Sequence, residues 1–152
     1  MKYLFLPVAA AVLFLSACNP NVENKNMNNP LLKPSTLPYG APDFSAITNA
    51  DFQPAIEQGM KEQLDEINTI ANNPEEPTFE NTLVAMEKSG ATLNRAYAVF
   101  NVLTGANTNP ELQKVEEIIA PKMAAHRDAI YLNDKLFQRV KLRHCFAQVQ
   151  YR

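Results

Sequence analysis

The chain has 152 residues, a formal net charge of −2, 46% hydrophobic residues and only four glycines. A near-neutral balance without a basic cluster excludes a nucleic-acid partner. Two cysteines, Cys18 and Cys145, leave no disulfide framework, and four scattered glycines leave no phosphate-cradling loop.

Met1 to Cys18 has the layout of a signal peptide. Lys2 supplies a small positive n-region, and Tyr3 to Leu15 is apolar apart from Pro7. An apolar run of roughly a dozen residues is short for a membrane span and suits an h-region. It ends in Leu15-Ser16-Ala17-Cys18, the form of a bacterial lipobox: small residues let the peptidase bind the backbone closely, and the thiol accepts a diacylglycerol. Residues 1–17 are therefore expected to be removed and Cys18 to be lipidated. Several acyl chains on one residue exceed the two-signal threshold for stable anchoring to a membrane. Asn19 follows the cysteine in place of the Asp that commonly retains such lipoproteins at the inner membrane. The expected location is thus the outer membrane, facing the periplasm.

Residues 18–42 are rich in Asn and Pro, with Asn-Pro at Asn19-Pro20 and Asn29-Pro30. Such a segment buries too little apolar surface to offset its ordering entropy, so a flexible tether is expected. Leu31, Leu32 and Leu37 are candidates to dock onto the folded part. What remains is roughly 110 residues, one small domain.

A first helix is expected over about Ala50 to Asn72, capped by Thr48 or Asn49, with Asp51 in its first turn and Pro54 near its start. Phe52, Ile56, Met60, Leu64, Ile67 and Ala71 form one apolar stripe, and Asn72-Asn73-Pro74 ends the helix. A second starts after Pro77 with Thr78 as cap. Phe79, Leu83, Met86, Gly90, Leu93, Tyr97, Phe100 and Thr104 trace a heptad-type seam. Gly90 on that seam costs about 1 kcal/mol relative to Ala, which suggests a close helix crossing there. Gly105 to Asn109 is expected as a loop. Asn109 caps a third helix with Pro110 at its first position. Its inner edge carries Leu112, Val115, Ile119, Lys122 or Met123, His126 and Ile130, and Pro121 predicts a kink or break. Asn133 or Asp134 caps a fourth helix with Leu136, Phe137 and Val140. The sum is an all-α fold, an antiparallel helical bundle.

Chemistry-bearing residues are few. His126 and His144 are the only histidines. A zinc site needs three or four ligands at tight spacing, and His126 has neither a Glu one residue on nor a His four residues on. A half-buried, hydrogen-bonded role is expected for it. His144-Cys145 lacks residues to complete a metal site, and Cys145 lacks a base. Glu75-Glu76 and Glu116-Glu117 are adjacent pairs that do not converge on one reacting atom. The reading assigns no catalytic, cofactor-binding or metal residue; Cys18 is the one modification site.

Pro77-Thr78-Phe79-Glu80-Asn81-Thr82-Leu83, continuing to Gly90, resembles the N-terminal region of the thimet oligopeptidase-like zinc peptidases, and within them the bacterial peptidyl-dipeptidases. Tyr97–Asn101, Ala120–Asp128 and Asn133–Val140 add to the likeness. The resemblance implies a larger, mostly helical peptidase whose N-terminal helices, here residues 43–140, wall a channel for oligopeptides. It also implies zinc held by His-Glu-x-x-His on one helix and a Glu on a later one. No His-Glu-x-x-His occurs in this chain, so no ligand position carries over and zinc belongs to the full-length family. Residues 141–152 depart from the family pattern, which suggests truncation or a frameshift.

Two functions follow. One is an N-terminal fragment of a lipid-anchored enzyme that releases dipeptides from peptide C-termini, inactive by itself, with a missing C-terminal catalytic portion that could be separately encoded. Phe79, Leu83, Tyr97 and Phe100 would then be partly exposed. The other is a stand-alone helical envelope lipoprotein acting as a binding module, with a closed core.

Overall fold

The computed structural model describes residues 28–149, and side-chain surroundings up to residue 142. The signal segment, Cys18 and the first part of the tether lie outside the described residues, as do the side chains of His144 and Cys145. Five α-helices follow in order: α1 (Asn49–Ala71), α2 (Ala85–Lys88), α3 (Ala91–Ala106), α4 (Pro110–Tyr131) and α5 (Asp134–Val149). A π-helical segment, Phe79–Val84, leads into α2. The described residues hold no strand, so the fold is all-α.

The helix starts are set locally. The Asp51 carboxylate accepts hydrogen bonds from the Thr48 backbone N–H (2.8 Å) and the Thr48 hydroxyl (2.7 Å), which satisfies an otherwise orphaned donor at the entry to α1. Asn109 Oδ1 accepts from the backbone of Glu111 and Leu112 at the start of α4, and Asn133 Oδ1 accepts from Leu136 at the start of α5. Thr78 and Asn81 exchange reciprocal bonds at the mouth of the π-helical segment.

α1 packs against α3, α4 and α5. Its Phe52, Ala55, Ile56 and Met60 meet Leu93, Ala96, Val99 and Phe100 of α3 and Leu112 and Ile119 of α4. Phe52 and Phe100 tilt against each other with ring centroids 5.4 Å apart. Fully burying each such aromatic or branched side chain stabilises the fold by about 1.5–3 kcal/mol before entropy is counted. A second cluster gathers Ile67, Ile70 and Ala71 of α1 with Leu136 of α5.

Several expectations are corrected. The second helix is not continuous: it breaks at Ser89-Gly90, where Gly90 takes a left-handed φ of 74°, a conformation that costs glycine little. The Gly90 N–H donates to Glu66 Oε2 of α1 at 2.7 Å. The close helix crossing belongs to Gly59 instead, where a Cβ would lie 2.6 Å from the Leu93 backbone. Because the helix restarts at Ala91, Ala96 and Val99 are buried while Tyr97 and Thr104 are half-buried. Pro121 does not break α4; it and Glu117, whose carbonyl it leaves unbonded, are both exposed, so water can serve that carbonyl. Met123 rather than Lys122 turns inward. α3 runs through Gly105 to Ala106, which shortens the expected loop.

The tether is not free throughout its described part. Asn29 and Leu31 are buried, Asn29 Nδ2 donates to the Asp51 carbonyl, and Arg95 donates to the carbonyls of Leu31 (2.9 Å) and Leu32 (3.0 Å). Leu31 docks as expected, whereas Leu37 is exposed.

Candidate functional site: the His126 groove

Three elements converge on His126. It projects from α4, on the turn after Met123, and is only 5% exposed. Its Nε2–H donates to Gln63 Oε1 of α1 at 2.7 Å. The Gln63 amide in turn donates weakly to Ser89 Oγ (3.4 Å), whose hydroxyl donates to the Met86 carbonyl (2.7 Å) at the end of α2. Gly90 makes this relay possible, because a Cβ there would lie 2.5 Å from the Gln63 amide. The hydrogen-bonded histidine read from the sequence is present, though buried rather than half-buried. Its partner Gln63, 63 positions away, carried no local signal.

Loss of solvation holds the His126 ring below the usual imidazole range, so it is neutral at physiological pH. With Nε2 protonated, Nδ1 is a bare acceptor, and it is buried with no hydrogen-bond partner. Above the ring lies a groove of about 500 Å³. Leu83, Met86, Met123 and Ile130 give it apolar walls, and Asn94 and Arg127 add polar groups at its edge. It can take an apolar side chain; one neutral imidazole with an amide partner is no acid–base pair.

The implied zinc does not fit the described residues. No three His, Cys, Asp or Glu side chains gather among them, and the Nε2 of His126 is already engaged by an amide. Glu75, Glu76, Glu116 and Glu117 are solvent-exposed. The candidate pair His144-Cys145 falls outside the described side chains, as does Cys18. Elsewhere, one surface ion pair is present among the described residues: the Lys122 ammonium bonds Glu57 and, with Gln53, holds that carboxyl below its ordinary range.

Of the four seam residues expected to be partly exposed in a fragment, Phe79 is 48% exposed and Leu83 and Tyr97 are half-buried. Phe100 is buried, because Phe52 packs against it at a tilt from α1.

No protein-family model matches the sequence. Two curated proteins do, the dipeptidyl carboxypeptidases of Salmonella typhimurium and Escherichia coli, each 46% identical over 112 residues. That alignment covers 74% of this chain and 16% of each relative. The chain therefore corresponds to a fragment of the dipeptidyl carboxypeptidase family, spanning about one sixth of the length of these two relatives.

Proposed function

We propose that this chain is the N-terminal helical portion of a zinc peptidyl-dipeptidase that releases dipeptides from oligopeptide C-termini, and that the portion alone is inactive. The observation that carries the reading is the 46% identity, over 112 residues, to proteins named dipeptidyl carboxypeptidase. The role fits a wall element: the groove offers shape and apolar surface, and the chain lacks the His-Glu-x-x-His that would hold zinc. Cys18 anchors it to the outer membrane by its acyl chains.

The test is to assay the purified full chain for dipeptide release from a blocked oligopeptide with zinc supplied. No release above background is expected. Chelator-sensitive release by the chain itself would overturn the assignment. For the anchor, labelling cells with palmitate should mark the wild-type chain and not Cys18→Ser; equal labelling of both removes the lipid from the account.

A second reading, a stand-alone envelope binding module, draws on the complete burial of the Phe52–Phe100 pair in a closed α1–α3–α4 core. It predicts a monodisperse protein with no affinity for any other part of a dipeptidyl carboxypeptidase.

A further inference from the structure

We infer that the two turns over residues 37–44 dip into the membrane leaflet that holds the Cys18 acyl chains, with Leu37, Tyr39 and Phe44 as the inserting side chains. The inference rests on the anchor proposed at Cys18 and is independent of the peptidase role.

Three observations carry it. The first is an apolar cluster in the open: Tyr39 is fully exposed, Phe44 54% and Leu37 42% exposed. Single exposed apolar side chains are ordinary, whereas a group of them marks a contact surface. The turns that bear them adjoin, since Leu37, Gly40, Pro42 and Asp43 line one cavity of about 250 Å³ against Arg95 and Val99 of α3. Tyr39 is held outward under strain. Its φ of 61° lies in the left-handed region, which residues with a side chain seldom adopt. Strain of this kind persists at positions that present a group for use.

The second observation is the backbone. The N–H of Leu37 donates to Ser35 Oγ (3.1 Å), and those of Gly40, Ala41 and Phe44 donate to the carbonyls of Leu37 (3.0 Å), Pro38 (3.2 Å) and Pro42 (3.1 Å). Pro38 and Pro42 have no N–H to satisfy. The segment therefore brings few unpaired donors into a layer poor in water, where each would be costly.

The third is the distance to the anchor. Cys18 precedes Asn29 by 11 residues, and Asn29 is buried and bonded to the Asp51 carbonyl. Eleven residues span at most about 40 Å. The chain enters the fold through Pro30 and Leu31, which line the same cavity as Leu37. A lipid on Cys18 thus keeps these turns within reach of the bilayer and makes their insertion an intramolecular event. Within residues 29–47 the charges are those of Lys33 and Asp43, which cancel. The attraction is therefore apolar and indifferent to salt, and the tyrosine ring, apolar with a polar tip, suits the headgroup boundary.

The chain has no tryptophan, so Tyr39→Trp gives it a single indole. The full chain carrying that change is purified from bacterial membranes, weighed by mass spectrometry for acylation, and reconstituted in phosphatidylethanolamine–phosphatidylglycerol vesicles with plain or brominated acyl chains. Tyr131→Trp, at a 77% exposed position of α4, is the comparison. Tyr39→Trp emission should shift to the blue in vesicles and lose most of its intensity to the brominated chains, in low and high salt alike. Adding Leu37→Ser and Phe44→Ser should restore the emission, and Tyr131→Trp should keep its own throughout. An acylated chain whose two indoles are equally unquenched, or equally quenched, overturns the insertion of these turns and leaves the anchor standing. Quenching that high salt abolishes overturns its apolar character, and a blue shift already present without vesicles assigns the turns to self-association instead. A chain without acyl groups overturns the anchor and the insertion together.

Discussion

Adding one methyl group at Gly59 tests the central packing contact. The new Cβ would stand 2.6 Å from both Cα and N of Leu93 and 3.0 Å from its Cβ. Two of those three atoms are backbone, so no rotamer change relieves the clash, and α1 must move away from α3 through the Phe52–Phe100 layer. Overpacking of this kind costs about 1–3 kcal/mol or more, against a gain of about 1 kcal/mol from replacing a helical glycine with alanine. Gly59→Ala is therefore expected to destabilise the chain by up to about 2 kcal/mol net. Gly105 is the internal reference: it is helical and exposed, and nothing lies within 4 Å of a Cβ there. Gly105→Ala should stabilise by about 0.5–1 kcal/mol. Urea unfolding followed by far-UV circular dichroism reads both, the midpoint moving down for Gly59→Ala and up for Gly105→Ala. Two midpoints rising together would refute the claim that Gly59 is the close-approach position.

Arg139 is buried, donates through Nη1 to the carbonyls of Asn73 (2.6 Å) and Glu75 (3.0 Å) and through Nη2 to Asn81 Oδ1 (3.1 Å). Arg139→Ala should cost about 2–4 kcal/mol by the same unfolding assay, and Arg139→Lys should recover only part of it. The depressed pKa of His126 sets a pH dependence. The unfolded ring gains a proton near its ordinary value of 6.5 while the folded ring stays neutral. Stability is therefore full above that value and falls as pH drops from about 6.5 toward the lower folded pKa. His126→Leu should flatten the unfolding midpoint between about pH 7.5 and pH 5.5; an unchanged slope would assign it to other groups. Asp51→Ala, which removes the acceptor for the Thr48 N–H and hydroxyl, should lower stability by about 0.5–2 kcal/mol. Lys122→Ala, which breaks a surface pair to Glu57 with both side chains more than a third exposed, should change it by less than about 1 kcal/mol.

What the sequence revealed was local. Thr48 with Asp51, Asn109 with Pro110, and Asn133 are starts whose partners lie within three residues, so their chemistry is visible without the fold. The stripe of α1 was legible for the same reason, being one face of an unbroken helix. The seam across Phe79–Thr104 misled because its steps of three and four run through two structural interruptions. The π-helical turn at Phe79–Val84 shifts the register, and the left-handed Gly90 is held by Glu66, 24 positions away. Glycine roles were exchanged for a related reason: Gly59 sits inside a good helical pattern, and only the approach of Leu93 shows why a side chain cannot stand there. Arg95 securing Leu31 and Leu32 spans 63 or 64 positions, beyond any periodicity. At the groove, the hydrogen-bonded character of His126 was legible, whereas Gln63, Ser89 and the unpaired Nδ1 emerged only when α1, α2 and α4 met.

The family reading draws its activity from relatives of which this chain spans 16%. The most direct test is to sequence the genomic region downstream of the codon for Val140 and translate it in all three frames. The account predicts a His-Glu-x-x-His with a later Glu, in one frame or as a separate coding region nearby. Unrelated DNA without that motif in any frame would contradict it and leave a helical protein whose partner must be sought through its own surfaces.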